Sequence, residues 1–66
     1  MRRRTDTARR MIEKALADCV TPILPAYVHG WAEACIEMAY AQGDVDEWHY
    51  DHYTRRLNAM RQGVAA

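Results

Sequence analysis

Long apolar runs are missing from this 66-residue chain. The most apolar stretch, ILPAYV at residues 23–28, falls far short of the ~20 residues that span a bilayer. The segment RRRTDTARR after Met1 is followed by no apolar run of the roughly 7–15 residues that a secretory signal requires. A cytoplasmic location is the expectation, and with it reduced thiols. Cysteine is scarce as well. Cys19 and Cys35 have no CxxC spacing, so they read as small buried hydrophobes rather than a disulfide framework or half a zinc site.

Glycine is limited to three residues, and no glycine-rich loop is present to cradle a phosphate. The hydroxyl and thiol groups nearest to histidine in sequence are Thr54 and Cys35. Neither has the base and orienting group that a nucleophile needs. His49 and His52 stand at i, i+3, where two rings can converge on one ion. Their possible co-ligands, Cys19, Cys35, His29 and nearby carboxylates, are not spaced as a metal site. A partly exposed His pair in an acidic neighbourhood is expected instead. An enzyme is not expected, nor a cofactor or a metal.

The chain does hold alanine, arginine and a few large apolar side chains. Half of it is apolar, but 11 of those 33 residues are Ala. A domain of this size buries only ~60% of the surface its unfolded chain exposes. One domain is expected, with little room for a walled pocket. Net charge is zero yet segregated: +4 over residues 1–14, −6 over 33–51 and +3 over 55–61. Such segregation suits pairing between segments or between subunits.

The apolar periodicity predicts an all-α fold of three helices, at 7–20, 23–42 and 45–62. In the first, apolar residues at 8, 11, 12, 15, 16, 19 and 20 form an amphipathic stripe, with Asp6 or Thr7 as its cap. Pro22 and Pro25 interrupt that helix, and either can open the next, with Thr21 as the cap before Pro22. The second helix reads Leu24, Tyr27, Val28, Trp31, Cys35 and Met38 as its apolar face. Gly30 within it costs ~1 kcal/mol against Ala and suggests a close helix crossing. Gly43 fits a left-handed C-cap, and Asp44 with Glu47 fits a capping box. The third helix carries Val45, Trp48, Tyr53, Leu57 and Met60, an Asp51–Arg55 pair at i, i+4, and Gly63 as its stop. The short loop at Gly43 predicts that the last two helices form an antiparallel αα-hairpin. Residues 1–6 are expected to be a flexible basic arm, 7–63 a single helical domain, and 64–66 a disordered tail.

Six large aromatic residues are too many for a chain this short to cover, so completion of the fold as a homodimer, or in an obligate partner complex, is expected. The dimer would use the apolar stripes of the first two helices. Leu16, Trp31, Cys35 and Leu57 are expected in the core or at that contact. Trp48, His49, Tyr50, His52 and Tyr53 are the expected partner-binding surface, because aromatic anchors dominate interfaces. The alternative is nucleic-acid binding through Arg2, Arg3, Arg4, Arg9 and Arg10. A helix-turn-helix is disfavoured, since Asp46, Glu47 and Asp51 would meet phosphates. No membrane contact is expected.

By the stretch WAEACIEMAYAQGDVDEWHYDHYTRRL at 31–57, and in style over residues 8–62, the chain resembles the short helical accessory proteins carried by lambdoid phages and prophages. The likeness lies in size, preference for Arg over Lys, and a hairpin rich in His, Tyr and Trp. It implies a protein made early in infection that binds and redirects a host protein.

Overall fold

The computed structural model describes residues 3–20 and 25–63. These form three helices and no strand: α1 (Arg4–Asp18), α2 (Pro25–Ala41) and α3 (Glu47–Arg61). The fold class is all-α, as expected. Arg2, the Thr21–Pro22 start and Leu24 of the second helix, and the tail at 64–66 lie outside the described residues.

α1 begins earlier than the periodicity suggested. Arg3 is its N-cap, without a side-chain hydrogen bond, and Asp6 lies inside the first turn rather than before it. A carboxylate there favours the positive end of the helix dipole. Arg4, placed by the sequence in a flexible arm, is helical and its guanidinium reaches Asp44, with Nε–Oδ1 at 3.2 Å. The expected stripe divides in two. Ile12, Ala15, Leu16 and Cys19 are buried, whereas Met11 and Val20 are exposed.

α2 presents a different face from the one read in the sequence. Ala32, Ile36 and Ala39 are buried, with Val28 and Cys35 packed at the margin, while Tyr27, Trp31 and Met38 remain exposed. Both α1 and α3 lie against α2. Alanines at the contact let neighbouring backbones approach closely, where a Trp or Met would hold them apart. Trp31 is therefore not in the core of a single chain, and Cys35 is only half-buried.

The turn between α2 and α3 follows from Gly43, whose φ of 76° lies in the left-handed region. Its N–H donates to Tyr40 O at 3.0 Å, and the Asp44 N–H to Ala39 O at 2.8 Å. These two bonds make a Schellman motif and satisfy carbonyls at the helix end. The cap of α3 is Asp46, two residues later than the capping box predicted, and it accepts from the His49 N–H at 2.8 Å. Val45, just before that cap, is buried, and Tyr50, four residues past the cap, packs against the same cluster. This is the arrangement of a hydrophobic staple. Gly63, with φ 75°, follows the end of α3 as expected.

Contacts between α2 and α3 run in opposite order along the two helices. Tyr50 meets Glu37 and Tyr40, and Arg61 meets Glu33 and the His29 carbonyl. The core between the three helices is centred on Ile12, Leu16, Ile36 and Tyr53. Burying an Ile or Leu side chain contributes roughly 1.5–3 kcal/mol, so this small set dominates the favourable side of folding. The segregated charges meet around it: Arg4 with Asp44, Arg56 with Glu13 at 2.8 Å, and Arg61 with Glu33 at 3.2 Å.

Candidate partner-binding surface

The first two turns of α3 hold most of the residues singled out in the sequence, and capping decides how they stand. Asp46 accepts from the His49 backbone and also pairs with His49 Nδ1 at 2.7 Å. These two hydrogen bonds hold the Asp46 carboxyl below the usual carboxylate range. With its Nδ1 engaged, His49 lies edge-on to Trp48, ring centroids 4.9 Å apart. His52 also packs on Trp48, stacked at 5.2 Å with the planes only 9° apart. Both imidazoles thus pack against one indole. Among the described residues, no three His, Cys, Asp or Glu side chains gather as a metal centre.

Trp48 is 67% exposed and is the most prominent side chain of this end of the molecule. His52 is exposed, and His49 and Tyr50 are half-buried. Tyr53 departs from the expectation: it is 1% exposed and belongs to the core. Its ring fills the space between α1 and α3, and its hydroxyl accepts from Arg9 Nε at 3.4 Å. As a buried side chain it supports the aromatic surface from below and cannot itself be the contact.

Tyr40, at the end of α2, is the residue the sequence reading missed. It stacks on Tyr50 with centroids 4.3 Å apart and planes 26° apart. Tyr50 also donates to Glu37 Oε1 at 2.8 Å, which pushes its phenol above the ordinary range. A shallow depression lies across the helix junction, lined by Tyr40, Glu47, Trp48, Tyr50 and Asp51. Three aromatic rings and two carboxylates line one concavity. Its chemistry suits a cationic side chain, which both ring faces and carboxylates attract.

The arginines of the alternative reading are differently disposed. Arg3, Arg4, Arg9 and Arg10 are all exposed, and of these Arg4 also pairs with Asp44 and Arg9 with the Tyr53 hydroxyl. Both cysteines are free, and burial pushes each thiol up from its ordinary range. At neutral pH they are thiols rather than nucleophilic thiolates. Among the described residues, no helix is long and apolar enough to cross a membrane. No protein-family model matches this chain, and neither a curated protein nor a solved structure shows a significant match to it.

Proposed function

We propose that this protein is a small regulatory or adaptor protein that acts in the cytoplasm by binding another protein, without chemistry of its own. The observation that carries the reading is the exposed Trp48, braced by His49 and His52 beside the Tyr40–Tyr50 stack. A large aromatic ring held in one orientation loses little entropy on binding, and such rings dominate interface energetics. Glu47 and Asp51 at the same depression favour a partner segment bearing Arg or Lys. Binding of a host factor by a phage or prophage protein is the biological setting that the resemblance implies.

The test compares wild type with Trp48→Ala as bait in a bacterial lysate split into nuclease-treated and untreated halves. A discrete protein retained by wild type and lost with Trp48→Ala is the expected result. Capture that disappears with nuclease would instead favour the arginines of α1, and capture indifferent to Trp48 would remove this surface from the proposal.

A further inference from the structure

α2 has a face that neither α1 nor α3 covers. Tyr27, Gly30, Trp31, Ala34, Met38 and Ala41 are all exposed and recur at helical spacing on its outer side. None of them is charged. The two carboxylates of α2 are both turned toward α3, Glu33 to Arg61 at 3.2 Å and Glu37 to Tyr50 at 2.8 Å. Beside the large residues, toward α1, a groove of about 390 Å³ includes Met11, Trp31, Ala34, Cys35 and Met38 in its lining, together with the paired Arg4 and Asp44. A helix that is apolar on both its inner and outer faces is normally covered on both.

We propose that a second copy of this chain covers this face, α2 packing on α2 about a two-fold axis near Ala34. Three observations favour a copy over another occupant. First, the face is self-complementary. A row of large residues (Tyr27, Trp31, Met38) runs beside a row of small ones (Gly30, Ala34, Ala41), so each chain supplies both knobs and holes. A two-fold interface requires one patch to fit itself in this way. Second, charge permits it. The chain has a formal net charge of zero, so two copies meet without long-range repulsion, and Arg4 beside the face is already paired with Asp44.

Third, the area is adequate. Tyr27, Trp31 and Met38 are 70%, 54% and 59% exposed. At roughly 200 Å² for a fully exposed large side chain, they alone present about 370 Å². With Met11 and the small residues between, the face comes close to the roughly 600 Å² per partner of the smaller stable interfaces. Gly30 fits the same account. A methyl group added there would meet no atom within 4 Å, so nothing inside one chain offsets the penalty of a helical glycine, whereas a neighbouring helix at close approach would.

Sedimentation equilibrium over a concentration series tests the proposal directly. The wild-type chain is expected at twice its 7.7 kDa mass, dissociating only on dilution. Trp31→Glu and Met38→Glu should each weaken association by at least tenfold while helical circular dichroism is retained, because both positions are exposed in the single chain. Ala34→Cys in a Cys35→Ser background should form a disulfide-linked dimer on mild oxidation, a readout that does not depend on the acidic variants folding. A mass of 7.7 kDa at every concentration would overturn the proposal. So would a dimer that is indifferent to both acidic variants and fails to cross-link through position 34. Trp48 lies on α3, outside this face, so Trp48→Ala should leave the mass unchanged. Loss of partner capture and loss of self-association are thereby distinguishable.

Discussion

Asp46 shows how much one short side chain decides. Its carboxylate closes the first turn of α3 and orients His49, and through His49 it sets one edge of the Trp48 surface. Because those bonds favour the charged form, its pKa falls below the ordinary 3.8. A lowered carboxylate pKa contributes stability that is fully present above the unfolded value and is lost as pH falls through the folded one. The melting temperature of wild type should therefore decline more steeply below about pH 4 than that of Asp46→Asn, which caps a helix without titrating. Parallel slopes for the two proteins would show that the cap is not charge-dependent. The position of this cap was only partly legible in the sequence. Asp44 and Asp46 are both good N-caps, and Gly43 places Asp44 inside the Schellman turn, leaving the later aspartate to start the helix.

At the scale of the helix, α2 carries the main difference between what the pattern predicts and what the fold does. Its large aromatic and Met residues suggested the buried face, but Ala32, Ile36 and Ala39 are buried instead. The reason is geometric: two neighbouring helices approach α2 at Ala32 and Ala39, around Ile36, and close approach favours small side chains. Ile36→Ala is accordingly expected to cost ~2–5 kcal/mol, since it empties a site that is 2% exposed. Met38→Ala, 59% exposed in one chain, should change the stability of the single chain by no more than ~0.5 kcal/mol. Urea denaturation at concentrations where the protein is monomeric would measure both. Similar costs at the two positions would mean that α2 is rotated from the orientation described. In α1 only part of the stripe predicted by spacing is used: Ile12, Ala15, Leu16 and Cys19 are buried, while Met11 and Val20 stay exposed because only one side of that helix meets neighbours.

Across the whole molecule, the segregated charges close into pairs between helices: Arg4 with Asp44, Glu13 with Arg56, and Glu33 with Arg61. The arginines and Glu13 and Glu33 keep a third or more of their side chains in water, Asp44 much less. Pairs of this kind contribute about 0–1 kcal/mol each and are screened by salt. Raising the ionic strength from about 0.05 to 0.5 M should therefore lower the melting temperature by only a few degrees. A loss of structure over that range would show that these pairs, rather than the apolar core, hold the helices together. The sequence itself determined the fold class, the number of helices, the stop at Gly43 and the signs of charge that would seek one another. Those properties are local: periodicity, backbone freedom at a glycine and the order of charges along a chain. Tertiary structure decided which face of α2 is covered, that Tyr53 supports the surface from within while Trp48 stands out from it, and that Tyr40 joins Tyr50 across the turn. Those depend on how closely three helices can approach, a balance of side-chain volume and buried area among residues distant in sequence.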